Sequence, residues 1–574
     1  MAKLRVGLAQ VDATVGDIAG NTRLVREWVA RAADAGVQLL AFPEMVLTGY
    51  PVEDLVYRES FLEASRAALA SLAAESGEMA VVVGYLDRDD VGHRNAAALL
   101  WRGAVHSTYF KHHLPNYGVF DERRWFASGE QLPVVTLHGA DVAVTICEDL
   151  WQDGGPVAAA GLSGVDLVVV INGSPYEQGK TEIRRALVTR RAREAGATFA
   201  YVNLVGGQDE LVFDGNSLVV ACDGELQARA PSFAEHLLVH DVEIDPAPPQ
   251  IPEGSPEPDI AVVRLVLAAE PAAPAGARIE GGCAALLDDD AEVYAAVVLG
   301  TRDYVRKNGF TSVVLGLSGG IDSAVVATIA VDALGADAVH TVAMPSAFSS
   351  QGSLDDAAAL AQAQGTRHVV VPIAAAVDTY LDMAKPVGGL SGLSIENLQA
   401  RVRGTLLMAL SNEHGHLVLT TGNKSELATG FSTLYGDSAG GFAPIKDVAK
   451  TQVWALARWR NAEAQRRGEP LPIPIESITK PPSAELAPGQ LDQDRLPPYD
   501  VLDAILDDHI EKDLGREDLV ARGHDAATVE RVLRLVDIAE YKRRQYPPGP
   551  KISPKNFGRD RRVPITNAFR DTAR

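Results

Sequence analysis

Only three of the 574 residues are cysteine, Cys147, Cys222 and Cys283. They are far apart and odd in number, which excludes a CxxC metal knuckle and a disulfide framework and fits a reducing cytoplasm. Basic side chains are also short, 53 Lys and Arg against 76 Asp and Glu, and the resulting net charge of −23 argues against nucleic acid as a main partner. No uninterrupted apolar run reaches membrane-spanning length, and no signal-type apolar core follows Met1, so neither a membrane partner nor secretion is expected. A repeat of solenoid period and low-complexity tracts are missing too. What the chain does have is 47% apolar residues over a length that exceeds one core, so two or more domains are expected.

The most informative stretch is Ser318-Gly319-Gly320-Ile321-Asp322-Ser323, which joins the strand pattern Val313 to Leu317 to a helix-like run, Ala324 to Leu334. Paired glycines let the backbone approach phosphate oxygens, the helix N-terminus adds a favourable dipole, and the serines add hydroxyl donors. Asp322 would be repelled by phosphate unless a cation sits between them, so the motif reads as nucleotide with Mg²⁺. It is not a Walker A loop, because the GK[ST] ending is missing.

From residue 4 to about 245, strand-like runs alternate with amphipathic helical stretches: Arg5 to Val11, Val37 to Phe42, Ala80 to Leu86, Val142 to Cys147, Leu167 to Asn172 and Thr198 to Val205 read as strands, Leu55 to Glu75 and Thr181 to Ala195 as helices. This predicts a layered α/β domain over 1–245. Pro-rich and Gly-rich punctuation marks a connector, 246–284, with room for a short strand at Ile260 to Leu267. A second domain, 285–574, opens with a helix near Ala291 to Lys307 and repeats βαβ units at Val313 to Leu317, Val339 to Met344, His368 to Pro372 and Leu417 to Thr421. That pattern predicts an open, mostly parallel sheet with ligands at the carboxyl ends of its strands.

In the first domain three polar residues fall at strand ends. Glu44 follows Phe42-Pro43, Lys111 follows Tyr109-Phe110, and Cys147 closes Val142 to Ile146. Together they would supply a general base, a cation for a developing oxyanion and a thiolate, which is what attack on an unactivated carboxamide requires. Alone, Cys147 would read as an inert small hydrophobe and Glu44 with Lys111 as a partly buried ion pair.

The order Glu, Lys, Cys, with FPE, YFKxHLPNYGVFDE and TICEDLW around it, resembles the nitrilase or carbon-nitrogen hydrolase superfamily. The resemblance implies an αββα sandwich with Cys147 as nucleophile, Glu44 as proton acceptor and Lys111 as electrostatic partner, with Glu122 as a further glutamate near the site. By the same resemblance Tyr117, Ser174 and Lys180 contact glutamine. The Ser318–Ser323 stretch resembles the PP-loop of ATP pyrophosphatases. With Ile395 to Arg403, Thr420 to Glu426, Phe431 to Asp437 and Lys551 to Asp560, the whole chain resembles the glutamine-dependent NAD synthetases.

Carried over residue by residue, that implies ATP on Gly316, Leu317, Ser318, Gly319, Gly320, Ile321, Asp322, Ser323 and Thr421, with Lys446 as a weaker candidate. It implies deamido-NAD on Asn397, Glu426, Phe431, Ser432, Thr433, Leu434 and Lys555, and Mg²⁺ on Asp322 and Glu426. A homo-oligomer is expected. Two rivals stay open at this point: an amidotransferase that aminates another acceptor, and a nucleotide-binding regulator with a degenerate amidase.

Overall fold

The computed structural model describes residues 2–244, 247–251, 254, 256, 258–569 and 571. The expected domain boundary at 245 to 246 lies outside the described residues. Two compact units are present. The first ends at Gln208 and resumes over Phe213–Leu287; the second comprises Asp209–Val212 and the described residues from Asp288 onward.

The first unit is built on two mixed sheets. Its strands are β1 (Ala2–Gln10), β2 (Leu39–Ala41), β3 (Ala80–Arg88), β4 (His93–Trp101), β5 (Ala104–Phe110), β6 (Gln131–Leu137), β7 (Ala140–Ile146), β8 (Leu167–Asn172), β9 (Thr198–Asn203), β10 (Val205–Gln208), β12 (Leu218–Val220), β13 (Leu226–Arg229), β14 (His236–Ile244) and β15 (Ala261–Val266), while β11 (Leu211–Asp214) begins within the Asp209–Val212 segment of the second unit. One sheet runs β14-β1-β2-β3-β4-β5 and the other β13-β12-β9-β8-β7-β6-β15. Helices α1 (Ile18–Asp34) and α2 (Glu59–Glu75) accompany the first sheet; after the single turn α3 (Glu122–Trp125), α4 (Gly155–Leu162) and α5 (Lys180–Ala195) accompany the second. One apolar core joins the facing sides of both sheets. Every residue of β8 and β9 is buried, which explains why neither alternates between apolar and charged residues: covered on both faces, they have no solvent side to alternate toward.

Several expected ends move by a few residues. The strand expected to reach Cys147 stops at Ile146, and the helix expected from Leu55 begins at Glu59, after a 3-10 turn over Glu53–Tyr57. Within 246–284 the Ala261–Val266 strand pairs in parallel with β6.

The second unit holds the sheet β18-β17-β16-β19, all parallel, made of β16 (Val313–Gly316), β17 (Val339–Ala343), β18 (Arg367–Val370) and β19 (Leu417–Val418). Helices α6 (Asp289–Lys307), α7 (Ile321–Leu334), α8 (Gln351–Gln364), α9 (Ala374–Ala384), α10 (Leu393–His414), α11 (Lys424–Thr429) and α12 (Lys450–Arg467) surround it. From β16 the chain steps outward to β17 and β18, then returns to the other side of β16 as β19. The carboxyl end of β16 is therefore a topological switch point, where open α/β sheets bind ligands. The helix after β16 starts three residues earlier than its apolar pattern suggested, because Gly320 takes an extended conformation and caps it. Among the described residues no helix is long and apolar enough to cross a membrane.

Candidate active sites

In the first unit, Glu44, Lys111, Cys147 and Glu122 meet in the interior, all buried. The turn carrying Glu44 crosses β3 at Gly84, where a Cβ would lie 2.3 Å from the Met45 amide nitrogen, so only glycine lets it pass so closely. Lys111 Nζ donates to Glu44 Oε1 at 2.7 Å and to Glu122 Oε1 at 2.9 Å. Asn95 Nδ2 also donates to Glu44 Oε1, at 2.7 Å, and the Gly173 amide donates to Glu44 Oε2 at 2.7 Å. The Tyr50 hydroxyl donates to Glu122 Oε1 at 2.8 Å.

Cys147 opens a 3-10 turn, Cys147–Leu150, with φ +46°, a left-handed conformation a β-carbon disfavours. Asp149 holds that turn: its carboxylate accepts from the Ile146 amide at 2.9 Å, the His113 amide at 2.8 Å and the Tyr109 hydroxyl at 2.6 Å. Strain kept in place by buried hydrogen bonds is characteristic of a side chain that must be aimed.

Electrostatics divides the labour. Burial, then the charge of Glu44, pushes the Cys147 thiol well up, so it rests protonated and needs a base. For Lys111 burial opposes the charged form, but Glu122 and Glu44 outweigh it and hold the ammonium. Burial pushes the Glu122 carboxyl up to about 7, with Lys111 opposing and Glu44 reinforcing. Between its ordinary 4.5 and that value the folded chain holds a proton the unfolded chain releases, so stability falls as pH rises through this window. Glu122→Gln, which cannot titrate, should flatten that slope. Melting temperatures of parent and variant, compared from pH 4.5 to 7.5, check this.

The three residues expected to contact glutamine lie in different settings. The Tyr117 hydroxyl donates to Glu148 Oε2 at 2.9 Å, which places it beside the residue that follows Cys147. Ser174 is buried next to Gly173; its hydroxyl accepts from Arg184 Nε at 3.2 Å, and Arg184 is anchored on Asp214 at 2.6 Å. Lys180 opens α5 and pairs with Glu177 at 3.6 Å. Glu148, a carboxylate within reach of Tyr117, was not singled out from the sequence, although its position next to Cys147 was the available signal.

In the second unit a cavity of about 490 Å³ lies at the carboxyl end of β16. It gathers Gly316, Leu317, Ser318, Gly320, Ile321, Asp322, Ser323 and Thr421 with Asn397, Glu426, Phe431, Ser432 and Thr433. Gly319, Leu434 and Lys555 are not in its lining. The Leu434 carbonyl accepts from Arg401 Nε at 3.2 Å, Lys555 pairs with Asp513, and Lys446 turns to Glu210 at 2.7 Å. Gly319 supports the loop from behind: its φ is +79°, and a Cβ there would lie 2.3 Å from the Ser353 carbonyl oxygen. Gly319→Ala should therefore displace the loop and lower the stability of the second unit by about 1 kcal/mol or more. Melting temperatures of parent and variant check it.

Sequence reading missed Lys450. Its ammonium contacts Asp322 and lies 3.5 Å from Glu426 Oε1, while Asn423 Nδ2 donates to Asp322 Oδ1 at 2.9 Å. Burial lowers the Lys450 ammonium, but Asp322 and Glu426 more than restore it. Burial and the charge of Asp322 push the Glu426 carboxyl up to about 8 despite Lys450. Two carboxylates that crowd each other in this way suit an added divalent cation. Among the described residues no cluster of three or more His, Cys, Asp or Glu is arranged to hold a metal. Two carboxylates suit a hard divalent cation that takes its remaining oxygen ligands from outside the chain, and do not form an all-protein cage.

Comparison with known proteins follows this division. The carbon-nitrogen hydrolase family model matches residues 5–247 and the NAD synthase family model residues 293–546. The glutamine-dependent NAD(+) synthetase of Thermotoga maritima is 44% identical over 582 aligned residues, covering 100% of both chains. This chain belongs to the glutamine-dependent NAD(+) synthetase family. Another member, from Xanthomonas campestris pv. campestris, is 45% identical over 99% of this chain and 98% of its own. The solved structure of the Acinetobacter baumannii glutamine-dependent NAD(+) synthetase, in complex with ADP, superposes with a TM-score of 0.74 at 40% identity, covering 100% of both chains. Both α/β architectures, the nitrilase-like sandwich and the parallel-sheet NAD synthetase unit, are thus family features.

Proposed function

We propose that Cys147, Glu44 and Lys111 release ammonia from glutamine, and that the Ser318–Ser323 loop with its cavity uses that ammonia to convert deamido-NAD to NAD at the expense of ATP. The observation that carries this reading is one chain holding a buried Glu-Lys-Cys constellation and a glycine-rich strand-to-helix turn that opens a cavity at a switch point.

In the first unit Glu44 takes the Cys147 proton and the sulfur attacks the carboxamide carbon of glutamine. The Lys111 ammonium faces the oxyanion that forms. The carbon-nitrogen bond breaks as Glu44 returns the proton to the departing nitrogen, and water, deprotonated by Glu44, then cleaves the glutamyl thioester. Tyr117, Ser174 and Lys180 hold the amino-acid end of glutamine, with Glu148 as the acceptor for its ammonium group.

In the second unit the nicotinate carboxylate of deamido-NAD attacks the α-phosphorus of ATP and pyrophosphate leaves. Ammonia then attacks the acyl carbon and AMP leaves. Gly316 to Ser323 and Thr421 cradle ATP, with Gly319 acting through the loop, and Lys450 offers a cation to the phosphates. Asn397, Glu426 and the Phe431 to Leu434 stretch take deamido-NAD; Lys555 is assigned to it by position in the tail. Asp322 and Glu426 would hold Mg²⁺, whose chemistry is neutralisation of the phosphate charge. Catalysis here is positioning plus charge compensation.

We assign the chain to the cytoplasm and to a homo-oligomer. The test of the activity is product analysis with ATP, deamido-NAD and either glutamine or ammonium. AMP and NAD in equal amounts support it; ADP, or ATP bound without turnover, would favour another amidotransferase or a regulator.

A further inference from the structure

We propose that Asn95 is a positioning residue for the base of the glutaminase site: it fills Glu44 Oε1 and thereby directs the Cys147 proton to Glu44 Oε2. The inference rests on the reading of Glu44 as the base. Asn95 lies on β4 and is buried, and its backbone carbonyl accepts from the Lys111 amide at 2.9 Å, so the two residues are neighbours across the strand pair. Both side chains converge on one oxygen, Lys111 Nζ and Asn95 Nδ2 each 2.7 Å from Glu44 Oε1. A carboxylate oxygen offers two lone pairs, and these two donors occupy both. Oε2 takes the Gly173 amide at 2.7 Å and keeps one lone pair for a proton.

The amide orientation is forced. Turned over, Asn95 would set its own oxygen against a carboxylate oxygen, two acceptors in a buried place. The actual orientation leaves Asn95 Oδ1 buried without a partner among the described residues. Leaving an acceptor unpaired in the interior is costly, and an apolar side chain of similar size would avoid that cost. The presence of an amide at this position fits a demand for the donor on Glu44.

The step is a simple proton transfer. The Cys147 S–H bond breaks, the electron pair stays on sulfur, and the proton bonds to Oε2 until it is handed to the departing nitrogen. The titratable groups around Glu44 are Lys111, Glu122, Tyr50 and Cys147. Asn95 is a neutral side-chain donor to Glu44, so removing it withdraws support from ionised Glu44 without changing net charge.

The test measures glutamate release by the full-length enzyme from pH 5.5 to 9.5 for Asn95→Leu and Asn95→Asp, with ammonium-supported NAD formation as the control for folding. Both variants should lower kcat roughly tenfold or more while the KM for glutamine stays within about threefold. The acid limb of the kcat profile should move to higher pH in Asn95→Leu and further in Asn95→Asp, whose carboxylate opposes that of Glu44. If Asn95→Leu loses the ammonium activity as well, Asn95→Asp, equal in size, carries the test. An acid limb that stays in place, or a loss confined to KM, overturns the inference. Glu44→Gln, run in parallel, separates the two levels. Its inactivity beside parent-like Asn95 variants overturns this inference alone, whereas continued glutamate release by Glu44→Gln overturns the base itself.

Discussion

Cys147→Ala is expected to reduce glutamine-supported NAD formation by about three orders of magnitude or more, while ammonium-supported formation stays within about twofold. The thiol is the one group in the first site that can form the acyl intermediate, and no neighbour can replace it. Lys111, Glu44 and Glu122 are tied to one another by short hydrogen bonds, so the pocket keeps its shape when sulfur is lost. The second site contains no part of that network: its cavity is lined from Gly316 onward. Initial rates with each nitrogen source, at saturating ATP and deamido-NAD, give the result directly. Equal loss with both sources would contradict the assignment of two separate chemistries.

Asp322→Asn should act the other way, lowering NAD formation about a hundredfold or more with either nitrogen source and leaving the Cys147 site chemically intact. The substitution removes the negative charge that Lys450 contacts and that, with Glu426, would hold Mg²⁺. Asn keeps the size of the side chain, so the effect reports charge and not packing. The ammonium of Lys450 would then be shared with Glu426 alone, and the phosphates would meet a poorer set of counter-charges. A variant that forms NAD at the parent rate across a Mg²⁺ titration would remove Asp322 from the metal site.

Much of the fold, and the residues proposed for both sites, was legible because those residues sit where local pattern changes. Glu44 and Cys147 each follow a buried apolar strand, Lys111 follows the Tyr109-Phe110 end of a strand, and the glycine pair at 319 and 320 marks a strand-to-helix turn. Such punctuation depends on a few neighbours in sequence. What escaped depends on distant ones. The His93–Trp101 strand reads Arg-Asn-Ala-Ala-Ala-Leu-Leu through its centre, a composition with no β-branched residue, and it becomes a strand because β3 and β5 flank it. Asn95, within it, therefore carried no signal. Lys450 lies 128 residues from Asp322 and looks like a solvated charge at a helix start until the fold buries it. Leu434 and Lys555 show the converse: resemblance named them, but the cavity lining passes them by.

The most direct test of the account follows the amide nitrogen of glutamine. With amide-¹⁵N glutamine, ATP and deamido-NAD, the account predicts ¹⁵N in the carboxamide of NAD, with glutamate, AMP and NAD formed in equal amounts. It further predicts that incorporation disappears in Cys147→Ala and that the same variant still makes unlabelled NAD from ammonium. NAD without label in the parent enzyme, or label that persists after loss of Cys147, would contradict it.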